Sequence, residues 1–253
     1  MRLEGIAAIV TGGASGLGAA TATLLAARGA KVTLFDMNAD LGRQTAAEIG
    51  GGFQQVNVAD EDSVVQGLDA AEAAFGTARL LVNCAGVAPG EKTVNRDGKA
   101  HSIANFRRAI EINLIGTFTT VAHFAARASK LEPIGEERGV IVNTASIAAF
   151  EGQIGQAAYA SSKAGVAGMT LPIARDLAPL GIRVVTIAPG LFLTPMMKSL
   201  PVAAQEALGN QTPFPHRLGD PNEYAMLVES IVSNPFINGE TIRIDGAVRL
   251  PPK

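Results

Sequence analysis

Short apolar runs recur along the chain, each closed by small or polar residues and then followed by a stretch with helical spacing. The runs fall at residues 6–10, 31–35, 53–58, 79–82, 140–142, 182–187 and 241–244. In runs such as 6–10 and 140–142 the apolar residues are continuous rather than alternating, the pattern of strands covered on both faces. Between them lie Ala-rich or amphipathic segments ending at Gly29 and at 49, at 75 before Gly76, through 110–114, and from about Gln156 onward. Glycine directly after a periodic segment is a stop signal for a helix. Strand and helix alternate throughout, which predicts a doubly wound α/β fold with a parallel sheet, one domain over residues 1–253.

Two stretches break this rhythm. Residues 87–108 read as a charged insertion with Lys92, Arg96, Lys99, His101, Arg107 and Arg108. Residues 191–215 are apolar but interrupted by prolines, including 195, 201, 213 and 215, and read as a mobile lid over an apolar substrate. Pro172 falls inside the helix that begins near Gln156 and removes a bond to Gly168, so a kink or an end to its regular part is expected.

Composition narrows the function classes. Apolar residues make up 47% of the 253 and charged residues 17%, enough for a large core. The net charge of −2 provides no basic field for nucleic acid or an anionic membrane. No stretch reads as a signal sequence or approaches the ~20 residues of a membrane span. The single cysteine, Cys84, excludes an intramolecular disulfide and reads as a small buried residue. A cytoplasmic protein without a metal cluster is the expectation.

The candidate chemistry sits at the ends of the strands. After the first strand comes Thr11-Gly12-Gly13-Ala14-Ser15-Gly16-Leu17-Gly18, then a helix. Strand, glycine loop and helix form the context of a dinucleotide site: Gly12 for the tight turn, Gly16 for close approach of a pyrophosphate, Gly18 for helix–strand packing. The second strand ends on Asp36, placed to accept from ribose hydroxyls and to repel a 2′-phosphate. No Arg or Lys stands at 13, 14 or 37, so the expected cofactor is NAD. Ser146 follows the fifth apolar run. Tyr159 and Lys163 lie four apart, one turn of helix, where an ammonium would favour the phenolate and move it toward working pH. Ser146 can add a hydrogen bond to a reacting oxygen. His101 has no partner visible in the sequence.

Taken in order, Thr11-Gly12-x-x-x-Gly16-x-Gly18, Asn83-x-Ala85-Gly86, Ser146, Tyr159-x-x-x-Lys163 and Pro189-Gly190 resemble the landmarks of the short-chain dehydrogenase/reductase family over nearly the whole chain. The resemblance implies a Rossmann sheet of seven parallel strands in the order 3-2-1-4-5-6-7. It implies cofactor contacts from Gly12, Ser15, Gly16, Leu17, Gly18 and Asp36, then from Asn57, Val58, Asn83, Ala85 and Gly86. Tyr159, Lys163, Pro189, Gly190 and Thr194 complete that set, Thr194 at the nicotinamide carboxamide. Asn57 stands where the family usually has Asp, and its amide oxygen can still accept from an adenine amino group.

The catalytic set implied is Asn113, Ser146, Tyr159 and Lys163, with Asn113 distorting its helix and holding a water linked to the lysine. Ser146, Gln153 and Tyr159 would face the substrate, and a homotetramer is implied. Over residues 140–250 the wording is similar to members that act on hydroxysteroids and 3-hydroxyacyl-CoA esters. The expectation is NAD-dependent interconversion of a short-chain 3-hydroxyacyl-CoA and its 3-oxoacyl-CoA. Hydroxysteroid oxidation, NADPH-dependent 3-oxoacyl reduction, and a nucleotide-binding sensor or scaffold without chemistry are the alternatives.

Overall fold

The computed structural model describes residues 1–198 and 201–252. The strands are β1 (Ala7–Thr11), β2 (Lys31–Asp36), β3 (Gly52–Gln55), β4 (Leu80–Asn83), β5 (Gly139–Thr144), β6 (Ile182–Pro189) and β7 (Thr241–Ile244). They form one sheet in the order β3-β2-β1-β4-β5-β6-β7, every pair parallel. The helices are α1 (Gly16–Ala27), α2 (Ala39–Glu48), α3 (Glu61–Phe75), α4 (Ile103–Ile110), α5 (Gly116–Ala128) and α6 (Ala157–Leu177), then α7 (Pro195–Lys198), α8 (Val202–Gly209) and α9 (Pro221–Ser233).

Successive strand residues point to opposite faces, so a continuous apolar run supplies two cores at once. Ala8, Val10, Leu80, Val82, Val140 and Val142 face α1 and α9, meeting Leu25, Val228 and Ile231. Ala7, Ile9, Leu81, Ile141 and Val184 face the other way, onto Leu68 of α3, Phe124 of α5 and Ile173 of α6. This is why the runs do not alternate in polarity.

Parallel crossovers bring the C-terminal ends of all the strands to one rim. In that register Thr11 lies beside Asn83, and Asn83 beside Asn143. The order of the strands and the positions of the elements agree with the resemblance, and four local features differ from expectation.

β3 stops at Gln55 instead of running to 58, because the Asn57 side chain accepts from Ala59 N at 3.1 Å and turns the chain. Pro172 does not end α6, which continues to Leu177. Both Pro172 and Gly168 are exposed, and beyond the helix's own backbone nothing lies within 4 Å of a Cβ built on Gly168, so water can satisfy the freed carbonyl. The segment 191–215 contains two short helices, α7 and α8, while residues 199 and 200 of the expected lid lie outside the described residues.

The fourth difference is the helical stretch Ile103–Ala128. It is long and apolar enough to cross a membrane by length and composition, contrary to the expectation that no stretch approaches that length. Its length comes from a π-helical turn, Glu111–Ile115, that joins α4 and α5 without a break. Its buried face packs on β4, β5, α3 and α6, as a core helix does.

Candidate active site

The glycine loop is built by close backbone contact. A Cβ on Gly18 would overlap the Gly12 carbonyl oxygen, and one on Gly12 would lie 2.7 Å from Ala85 N. Gly12 and Gly16 also adopt φ of +64° and +54°, conformations that cost other residues energy. The loop thus locks α1 onto the ends of β1 and β4. Ser15 caps α1 by its backbone only, its side chain making no capping bond, and no acidic residue stands in the first turn. Free N–H groups and a positive dipole end therefore face the rim, which fits the pyrophosphate of a dinucleotide. Leu17 packs beneath against the core.

Asp36 sits beside this loop. One carboxylate oxygen accepts from Ala14 N at 3.1 Å, the other from Asn38 N at 2.9 Å. The cap of α2 is Asn38, which accepts from Leu41 N, so capping does not explain the carboxylate. Asn57 and Val58 reach the same rim from the end of β3, with Val58 pressed against Gly116 at the start of α5. The Asn57 amide oxygen already accepts from Ala59 N, leaving it one lone pair. Thr194 and Pro195 close the loop from above, within 3.3–3.5 Å of a Cβ built on Gly16. Pro189 ends β6, and Gly190 allows the backbone to pass Asp245.

Asn83 does not offer its side chain to the rim. It is buried in the sheet, donating to Asn143 Oδ1 at 2.9 Å and accepting from Thr11 and Thr120. Only the backbone of Asn83, Ala85 and Gly86 is left for a ligand. The Asn83 amide thus braces three elements.

Ser146, Tyr159 and Lys163 come together on the neighbouring side. Ser146 Oγ accepts from Ala148 N at 3.1 Å, which fixes the hydroxyl and leaves its proton free to donate. Lys163 is buried, and its ammonium donates to the Thr144 carbonyl at 2.7 Å while lying 6.0 Å from the Tyr159 ring centroid. Burial lowers its pKa from 10.5 to about 8. Burial also pushes the Tyr159 phenol up from its ordinary value, opposed by the Ser146 hydroxyl. The expectation of a lowered phenol is therefore not met in the protein alone, because the ammonium is turned to Thr144 and desolvation dominates.

Asn113 lies in the π-helical turn and is fully buried. Its amide oxygen accepts from Val87 N at 2.8 Å, and its nitrogen donates to Val87 O and to Ser162 Oγ at 2.8 and 2.9 Å. Ser162 in turn donates to the Tyr159 carbonyl at 2.7 Å. A Cβ on Gly86 would lie 3.0 Å from the Asn113 oxygen and 3.5 Å from Lys163 Nζ, so these three positions form one cluster.

Gln153 is drawn away from the reacting groups. Its amide donates to the Pro251 carbonyl at 3.0 Å, although it lines a cavity of about 420 Å³ with Lys92, Val94 and Ala160. A larger cavity, about 740 Å³, lies under α8 and the start of α9, away from Tyr159. His101 binds its own loop, its Nδ1 3.1 Å from the Glu91 carbonyl, and takes no part in the site.

Two supporting residues carry no motif. Thr144 Oγ1 has a single proton and places it on the Asn83 carbonyl at 2.5 Å, which can only accept. Tyr224 of α9, fully buried, must therefore donate to Thr144 Oγ1 at 2.7 Å. Cys84 lies at the edge of this chain, 3.8 Å from the Tyr224 hydroxyl, with its thiol pKa raised by burial, as befits a packed residue. Neither Thr144 nor Tyr224 is marked by any motif or spacing in the sequence.

A family model described as short chain dehydrogenase matches residues 6–205. The chain belongs to this family. It is 51% identical to the 3-hydroxyacyl-CoA dehydrogenase type-2 of Homo sapiens over 99% of this chain and 97% of that protein. It is 52% identical to the protein of the same name from Drosophila melanogaster, over 99% and 100%. A crystal structure of 3-hydroxyacyl-CoA dehydrogenase type-2 from Mycobacterium avium superposes with a TM-score of 0.93 at 43% identity, covering all of both chains. The protein is thus an oxidoreductase of the family that works with a nicotinamide cofactor, and the glycine cradle, the α1 N-terminus and Asp36 fit that group.

The Lys163 ammonium carries a stability consequence. Between its folded pKa of about 8 and its ordinary 10.5, the unfolded chain holds the extra proton, so stability rises with pH across that window. Relative to Lys163→Met, the wild type is expected to gain about 3 kcal/mol of unfolding free energy from about pH 7 to 10.5. Denaturant unfolding of both proteins across this range measures it. Parallel pH profiles would contradict the burial of a charged amine.

Proposed function

We propose that this protein interconverts a short-chain 3-hydroxyacyl-CoA and its 3-oxoacyl-CoA using NAD. The observation that carries the reaction type is the cluster of Ser146, Tyr159 and Lys163 beside a dinucleotide cradle, and the full-length identity to relatives named for this substrate supports the acyl-CoA. When bound, oxidised nicotinamide supplies the acceptor for the hydride on the substrate carbinol carbon. Tyr159 takes the hydroxyl proton, and the Ser146 hydroxyl donates to the same substrate oxygen. Lys163 would hold the nicotinamide ribose, and Thr194 the carboxamide. Asn113 keeps the Tyr159 turn and the Val87 backbone in place and completes the proton path. A homotetramer fits the half-exposed apolar side chains of Ile115 and Phe118.

For the cofactor, the Asp36 carboxylate next to the glycine loop favours an unphosphorylated ribose. Wild-type kcat/KM for NAD is expected to exceed that for NADP by about a hundredfold or more, the scale of a like-charge contact. Replacing Asp36→Ala together with Met37→Arg is expected to erase or reverse that ratio. A parent enzyme that already prefers NADP would show the ribose assignment to be wrong.

For the substrate, Lys92 lines the cavity beside Gln153, and Arg96 and Lys99 stand on the same exposed insertion. CoA phosphates would be drawn to these charges, and an uncharged steroid would not. Neutralising all three is expected to raise KM for acetoacetyl-CoA roughly three- to tenfold at low salt, with a smaller effect at high salt and little on an uncharged alcohol. Equal effects on both substrates would remove the insertion from CoA recognition.

A further inference from the structure

The loop between Ser146 and α6 is held from outside by the end of the chain. Glu151 accepts from both terminal nitrogens of Arg243, at 2.8 and 3.2 Å, and from Leu250 N at 3.0 Å. Arg249 adds its guanidinium at 3.3 Å. Arg243 projects from β7 and is itself fixed by Asp245 at 2.7 Å and the Val248 carbonyl at 3.1 Å. Its charge lies 5.6 Å from the Phe150 ring centroid. Past Glu151 the tail continues along the loop: Pro251 O accepts from the Gln153 side chain, and Pro252 O from Ile154 N, each at 3.0 Å.

On its other side the loop meets the insertion, Gly155 O accepting from Glu91 N at 2.8 Å. The loop has two glycines, and Gly155 takes φ +88°, so it has little local preference for one shape. Within the loop Gln153 N donates to Gln156 Oε1 and Gln156 N to the Gln153 carbonyl, each at 3.0 Å, and the bonds from the tail fix its outer edge. The same residues, Gly152 to Gly155, line the cavity together with Lys92 to Val94. A bidentate Arg–carboxylate pair with two further bonds to one carboxylate is a geometrically specific fastening, unlike an isolated surface ion pair.

We infer that residues 248–252 are a clasp that sets the width of the substrate cavity, with Glu151 and Arg243 as its positioning residues. The substrate half of this inference rests on the acyl-CoA reading of that cavity. The clasp predicts a split between two affinities. Releasing it moves the wall beside the substrate and leaves the glycine loop, Asp36 and Lys163 untouched, since none of them bonds to the tail.

The test compares wild type, Glu151→Gln, Arg243→Lys and a chain ending at Arg249. For each, KM and kcat with acetoacetyl-CoA, the Kd for NADH and amide hydrogen exchange over residues 151–157 are measured. In Glu151→Gln and the truncated chain, KM is expected to rise about tenfold, the worth of one charge-assisted hydrogen bond, with NADH affinity unchanged. Arg243→Lys keeps the charge but not the fork, and an intermediate KM is expected. Exchange should quicken over 151–155 alone. An unchanged KM, or NADH affinity falling in step with it, would overturn the inference. If wild type fails to turn over acetoacetyl-CoA, the acyl-CoA reading falls, and the clasp is then judged by exchange: faster over 151–155 upholds it, unchanged overturns it.

Discussion

A buried ammonium organises this protein's chemistry. Lys163 loses its water on folding and recovers one strong hydrogen bond, to the carbonyl of Thr144 at the end of β5. Desolvation of a charge is costly, so the position persists only because its neighbours leave it no alternative. Gly86 gives the ammonium room, Thr144 is fastened through its hydroxyl to Asn83 and Tyr224, and α6 delivers the lysine from a fixed turn. Four parts of the chain, β4, β5, α6 and α9, converge on one charge. The same arrangement places Tyr159 one turn earlier, beside Ser146.

The cofactor side depends on a different constraint, the near-contact of backbones. Gly12, Gly18 and Ala85 approach so closely that side chains cannot intervene, and this draws the N-terminus of α1 to the rim. The two halves meet through Thr11, whose hydroxyl accepts from Ala85 N and donates to Asn83. Cradle and reacting groups are therefore parts of one hydrogen-bonded edge of the sheet. The raised phenol of Tyr159 in the protein alone is consistent with this design. Desolvation of the phenol disfavours the phenolate until charged or polar groups of ligands enter.

Much of this was legible in the sequence because two periodicities encode it. Continuous apolar runs such as 140–142 read as strands covered on both faces, and Tyr159 and Lys163 shared a helical face by spacing. Strand order was supplied by family resemblance, since periodicity says nothing of which strands neighbour each other. Asn83 was legible as a position at the rim, but nothing local shows that its amide points into the sheet. Gln153 was legible as near the site, but its bond to Pro251 spans 98 positions. Thr144, Ser162 and Tyr224 were silent for the same reason: each acts through partners remote in sequence. The course of α6 past Pro172 depended on exposure of Gly168, which the sequence does not state.

We propose that Tyr159 is the group that exchanges the proton. Stopped-flow or steady-state turnover of Tyr159→Phe, paired with NADH titration of the same protein, tests it most directly. Loss of the acid–base group should lower kcat by about 10²–10⁴, while the Kd for NADH stays near that of the wild type. A variant that turns over at the wild-type rate would contradict the account.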